Sequence, residues 1–171
     1  TALGVRTVFN LLGPLTNPAA PPYQLIGAFS PAAAKLMADT LAGMPIERAF
    51  VVHGEPGWDE ATPVGEFTLF DVRPGQVTES RRSPETYGMV RCAAQDLAGG
   101  DAGHNAGELR RVFRGEDKGA HRDALLMSTS LVLEVLGSAA NAKEGVELAR
   151  NAIESGAAQD FLERLANRFG K

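Results

Sequence analysis

The fold class predicted for this 171-residue chain is α/β, a mostly parallel sheet with surrounding helices. Three observations predict it. Two apolar stretches of strand character, residues 23–29 and 48–53, flank one segment of helical periodicity. A turn tripeptide, Arg73-Pro74-Gly75, joins two further strand-like stretches. From Asp101 onward the apolar residues recur at helical spacing.

In chain order, Val5, Val8, Phe9, Leu11 and Leu12 fall on helical spacing, and Gly13-Pro14 should end that helix as a terminal Gly and a following Pro do. Residues 15–22 carry three Pro and one Asn and read as a loop. Residues 23–29 form a strand, after which Ser30-Pro31 supplies an N-cap and a Pro at the first helical position. The helix that follows runs to Leu41 and places Ala33, Leu36, Met37 and Leu41 on one stripe. Residues 48–53, nearly all apolar, suit a strand buried on both faces of a parallel sheet. Residues 66–72 and 76–81 read as a hairpin, and residues 83–100 as irregular. Asp101 caps a helix carrying Ala106, Leu109, Val112 and Phe113. Residues 122–136 are apolar almost all round and predict a central buried helix, followed by amphipathic helices over 144–154 and 159–169. The first helix fits this plan least well, because its apolar face precedes the sheet and needs a partner.

Bulk properties exclude several classes of function. A net charge of −4 argues against nucleic acid as the main partner. Cys92 is the single cysteine, so no intrachain disulfide can form, which fits a reducing cytoplasm. No apolar run approaches the ~18 residues of a membrane span. His104, His121 and Cys92 have no metal-ligand spacing among themselves, and no Walker loop, Gly-x-Ser-x-Gly or Gly-x-Gly-x-x-Gly occurs.

The strongest chemical signal is His53-Gly54-Glu55-Pro56-Gly57-Trp58-Asp59-Glu60, at the carboxyl end of a buried strand, where open α/β sheets bind ligands. Gly54 and Gly57 allow tight turns and close backbone approach. Asp59 and Glu60 can turn toward one hard cation such as Mg²⁺, or can form a solvated acidic turn. His53 is expected to end its strand with its ring hydrogen-bonded. The second signal is Gly13-Pro14, either one wall of a pocket for a flat apolar ligand or simply a cap and linker. Gly115-Glu116-Asp117-Lys118-Gly119 could present amides to an anion, or merely join two helices.

The order of the motifs carries more than any one of them. The phrase Gly4-Val5-Arg6-Thr7-Val8-Phe9-Asn10-Leu11-Leu12-Gly13-Pro14-Leu15-Thr16-Asn17-Pro18 resembles one found at mid-chain in anthranilate phosphoribosyltransferases. Gln24-Leu25-Ile26-Gly27, Val51-Val52-His53-Gly54-Glu55-Pro56-Gly57-Trp58-Asp59-Glu60, Gly99-Gly100-Asp101 with Asn105-Ala106, and Gly119 with Arg122-Asp123-Ala124 follow in the family's order. The resemblance covers essentially the whole chain. It implies a nucleoside phosphorylase/phosphoribosyltransferase-like C-terminal domain over residues 19–171. Residues 1–18 would then be a helix and hinge belonging with a helical N-terminal domain. It implies Mg²⁺ held by Asp59 and Glu60, and an anthranilate site lined by Gly13 and Pro14. It also implies a cytoplasmic homodimer that takes anthranilate and phosphoribosyl pyrophosphate as substrates.

The family's Gly-Thr-Gly-Gly-Asp and Lys-His-Gly-Asn-Arg segments do not occur in the chain, which opens on Thr1 in mid-phrase. These 171 residues are therefore expected to be inactive alone, with the apolar face of Val5, Val8, Phe9 and Leu12 exposed or covered by another chain. A pyrimidine nucleoside phosphorylase-like enzyme and a non-catalytic interaction module are the alternative readings.

Overall fold

The structure, a computed structural model, describes residues 9–169. They divide into two compact units. Of the described residues, the first comprises 9–61 and 66–82; the second comprises 62–65 and 83–169.

The first unit is a four-stranded sheet in the order β1 (Tyr23–Gly27), β2 (Arg48–Gly54), β3 (Phe67–Arg73), β4 (Gln76–Arg82). β1 and β2 are parallel, with Tyr23 opposite Arg48 and Gly27 opposite Val52. Their crossover is helix α2 (Pro31–Ala42), started by Ser30, whose hydroxyl accepts from the Ala33 amide at 3.2 Å. The small side chains Ala33, Ala34 and Ala38 let α2 lie close to the sheet. Met37 and Leu41 complete that face, and Ile26, Ala49, Val51, Phe70 and Val72 meet it from the strands. The opposite face of the sheet carries Phe50, Phe67 and Leu69, all fully buried, as a strand buried on both sides requires.

The α/β class and the parallel β1–β2 pair match expectation, but the sheet is not mostly parallel. Both remaining pairings, β2 with β3 and β3 with β4, are antiparallel. A parallel pair needs a crossover, usually helical. The stretch between β2 and β3 has no helix, and β3 turns into β4 through Pro74-Gly75, where Gly75 has φ of 72°. β4 is mostly exposed and polar, with Thr78, Glu79, Ser80, Arg81 and Arg82, the composition that blunts a sheet edge. Between β2 and β3, Arg48 grips Asp71 bidentately, Nε to Oδ1 at 2.9 Å and Nη2 to Oδ2 at 2.7 Å. The same guanidinium lies 4.7 Å from the centre of the Phe50 ring.

Helix α1 (Phe9–Leu15) runs through Gly13-Pro14 instead of stopping there. Proline's fixed φ is helical, so Pro14 can stand one residue before the helix ends, although it lacks a donor and its ring crowds the carbonyl four residues back. The helix closes a residue later, where the Thr16 amide and hydroxyl donate to the Leu12 carbonyl at 2.9 and 2.8 Å. Leu11 and Leu15 pack on the core beside α2. Of the face expected to lie open, Leu12 is half-buried; Val5, Val8 and the Phe9 side chain lie outside the described residues.

The second unit is helical, with α3 (Ala102–Phe113), α4 (Ala120–Val135), α5 (Ala142–Glu154) and α6 (Ala157–Phe169) after two 3-10 turns. α4 and α5 pack most closely. Ser130 Oγ donates to the Ala142 carbonyl at 2.9 Å, and a Cβ on Gly145 would strike Ser130. α4 is not buried all round as its composition suggested: Leu126, Met127, Leu131 and Val135 are buried, but Val132 and Leu136 are exposed. The cause is that its partner helices reach only part of its circumference.

Candidate functional site at the carboxyl ends of the parallel strands

The site grows from two glycines. β1 ends at Gly27 and β2 at Gly54, and each meets a backbone carbonyl where a side chain would otherwise project. The Asp59 carbonyl occupies the place of a Gly27 Cβ, and the Glu60 carbonyl that of a Gly54 Cβ. Residues 59 and 60 are thus pressed backbone-first onto the ends of both parallel strands. Their carboxylates are exposed.

The loop's path enforces this approach. Gly54 and Trp58 exchange both backbone hydrogen bonds, each at 2.9 Å. Between them lie a cis Glu55–Pro56 bond and Gly57 at φ of 118°, a conformation that favours glycine. The Glu55 amide donates to the Glu66 carbonyl at 3.0 Å, tying the loop to the start of β3. His53 Nδ1 lies 2.7 Å from the Ala28 carbonyl, so that nitrogen carries the proton and the ring is hydrogen-bonded as expected. The loop therefore presents two adjacent, solvent-facing carboxylates on a hydrogen-bonded backbone. Among the described residues neither carboxylate has an ion-pair partner, so both are free to meet a hard cation.

Gly13 and Pro14 lie elsewhere on the unit. Pro14 borders a cavity of about 60 Å³ with Pro21, Gln24, Met44 and Ile46, toward the amino ends of β1 and β2. Among the described residues, nothing lies within 4 Å of the position of a Cβ added at Gly13. No described contact brings these two residues to Asp59 and Glu60.

Other motifs turn out to be local scaffolding. In Gly99-Gly100-Asp101, Asp101 caps α3 by accepting from the His104 amide at 2.8 Å. Asn105 clamps Gly100 from both sides, accepting from its amide at 2.8 Å and donating to its carbonyl at 3.1 Å. Cys92 is half-buried, and burial raises its thiol pKa, the reverse of what a nucleophile needs. Sequence reasoning missed the role of Gly27, whose signal was a glycine closing an apolar strand. It also missed a grouping of Glu108, Asp117 and His121, whose ligand atoms lie within 4.8 Å of one another. Sequence spacing hides that group because the folding of α3 onto α4 creates it. No described helix is long and apolar enough to cross a membrane.

Residues 1–159 match the a/b domain of a glycosyl transferase family. The anthranilate phosphoribosyltransferase of Rubrobacter xylanophilus is 48% identical over 162 residues, covering 95% of this chain and 47% of the relative. The crystal structure of the Thermus thermophilus enzyme of the same kind superposes with a TM-score of 0.84 at 43% identity, covering 95% of this chain and 48% of that one. The Saccharomyces cerevisiae enzyme in complex with PRPP and Mg gives a TM-score of 0.85 at 30% identity, covering 95% and 47%. The chain spans about half the length of the relatives it matches.

Proposed function

The chain belongs to the glycosyl transferase family by its a/b domain, and from that premise we propose that the intact protein carrying it is an anthranilate phosphoribosyltransferase. It transfers the phosphoribosyl group of phosphoribosyl pyrophosphate to the amine of anthranilate, a step of tryptophan biosynthesis. The bond from ribose C1 to pyrophosphate breaks, a bond from the amine nitrogen to C1 forms, and the amine loses a proton. The observation that supports this reading most is the carboxylate pair at residues 59 and 60, seated on Gly27 and Gly54 at the carboxyl ends of parallel strands. The Saccharomyces cerevisiae enzyme forms one complex with PRPP and Mg and another with 4-fluoroanthranilate, ligands of the kinds this reaction requires.

Asp59 and Glu60 would hold Mg²⁺. Two exposed carboxylates suit a cation that takes one or two such ligands and fills its remaining positions with water and substrate phosphates. When bound, the ion neutralises the charge gathering on the departing pyrophosphate. The protein's part is to hold the backbone of residues 59 and 60 at the strand ends before substrate arrives, so that the two carboxylates need only turn toward the ion. Little proton chemistry is asked of side chains, because the amine attacks a C1 that already develops positive charge. Gly13 and Pro14 would form one wall of the anthranilate site. Gly13 has no side chain to obstruct a flat ring, and no described residue fills the space beside it. Residues 1–18 would belong with a helical portion of the protein that mediates a cytoplasmic homodimer.

The test follows the loss of anthranilate fluorescence with phosphoribosyl pyrophosphate and Mg²⁺. Turnover is expected from the intact protein and none from the 171 residues alone. A catalytic barrier reduction of roughly 7–11 kcal/mol can depend on orienting both substrates, and these residues carry only the metal carboxylates and one wall. Turnover of thymidine with phosphate by the intact protein, and none of anthranilate, would overturn the reading.

A further inference from the structure

We propose that Glu108, Asp117 and His121 form a site for one divalent transition-metal ion of the zinc class, separate from Asp59 and Glu60. The three residues come from three successive pieces of the helical unit. Glu108 is on α3, Asp117 is in the connection, and His121 is in the first turn of α4. Their ligand atoms all lie within 4.8 Å of one another, and all three residues are partly buried, so the group is neither dispersed in solvent nor sealed from it.

The spacing of Asp117 and His121 suits a shared ion, and Glu108, with its ligand atom within 4.8 Å of theirs, would close in to complete the set. Asp117 is held in place because its Oδ1 accepts from the Gly119 amide at 2.7 Å. Its other oxygen faces His121 Nδ1 at 3.5 Å, longer than a good N–H···O bond. Two ligand atoms at ~2.1 Å from a tetrahedral ion stand about 3.4 Å apart. One imidazole nitrogen with two carboxylate oxygens is a zinc-type donor set, whereas Mg²⁺ and Ca²⁺ prefer oxygen alone. Three protein ligands leave the fourth position to water.

Arg111 is the competitor. Its Nη1 lies 3.1 and 3.2 Å from the two Glu108 oxygens. Its side chain is 53% exposed against 22% for Glu108, so the arginine can turn into solvent and release the carboxylate. Bound metal would staple α3 to the start of α4, ordering a connection otherwise held by hydrogen bonds and one ion pair.

The experiment titrates Zn²⁺ into the chelator-treated intact protein by calorimetry and follows the thermal midpoint in parallel. One ion per chain, Kd below about 100 µM and a rise in midpoint are expected. His121→Ala and Asp117→Asn should each weaken binding at least tenfold, whereas Arg111→Ala should strengthen it by freeing Glu108. The double variant Asp59→Asn with Glu60→Gln should bind Zn²⁺ unchanged. Should His121→Ala fail to fold by circular dichroism, the visible absorption of the Co²⁺-loaded unaltered chain decides, since a four-coordinate site with one nitrogen absorbs strongly and hexa-aqua Co²⁺ does not. The proposal is overturned by no binding below about 1 mM, by binding that survives His121→Ala, by binding lost in the Asp59/Glu60 double variant, or by a hexa-aqua Co²⁺ spectrum.

Discussion

The carbonyl oxygen of Asp59 occupies the space that a side chain on Gly27 would need. A residue of the acidic loop and the last residue of β1 thereby share one packing constraint. Gly27→Ala must push the loop off the strand, and overpacking of this kind costs typically about 1–3 kcal/mol, sometimes more. Urea unfolding should show that loss, and in the intact protein the Mg²⁺ concentration for half-maximal rate should rise. Gly13→Ala is the contrast. Inside a helix, its Cβ meets nothing within 4 Å among the described residues, so stability should increase by about 0.5–1 kcal/mol. If Gly13 lines the acceptor site, KM for anthranilate rises while KM for phosphoribosyl pyrophosphate stays put.

Asp59→Asn and Glu60→Gln in the intact protein should each lower kcat at least tenfold and alter the Mg²⁺ dependence of the rate. Both side chains are exposed, so the thermal midpoint should hardly move, in line with surface substitutions worth within ~0.5 kcal/mol. Unchanged Mg²⁺ dependence in both variants would remove the metal role from this loop.

The Arg48–Asp71 pair ties β2 to β3 with two short bonds in a half-buried setting. Hydrogen bonds to charged groups contribute about 1.5–3 kcal/mol. Asp71→Ala should therefore lower unfolding stability by an amount in that range, and Asp71→Asn by less. A double-mutant cycle with Arg48→Met measures the coupling.

Glu85 supplies a prediction in pH. A hydrogen bond from Ser83, then a backbone amide, then Arg91 favour its charged form and hold its pKa at about 2, below the usual 4.5. Arg91 Nε donates to Glu85 Oε1 at 3.0 Å. A pKa depressed by folding contributes stability that is complete above 4.5 and is lost as pH falls from there toward 2. Carboxyl-carbon NMR should show Glu85 titrating at about 2, and Ser83→Ala or Arg91→Ala should move the midpoint upward toward 4.5. A midpoint already at 4.5 in the unaltered chain would contradict the contacts.

Much of the local structure was legible in the residues. Ser30-Pro31 announces α2, Asp101 announces α3 and Pro74-Gly75 announces the hairpin, because caps and turns depend on neighbours in sequence. The acidic loop was legible for the same reason, through Gly54, Gly57 and the adjacent carboxylates. The sequence by itself also determined the α/β class and the resemblance of its motifs to one enzyme family. Only the tertiary structure decided the direction of β3, since nothing local in a strand states which neighbour it joins. It alone decided which side of α4 stays open, and that Gly27 yields its space to Asp59. It likewise gathered Glu108, Asp117 and His121. The physical reason is common to all four. Strand pairing, burial and close approach are contacts between residues distant in the chain, and pattern along a sequence reports only the face a residue presents, not what meets it.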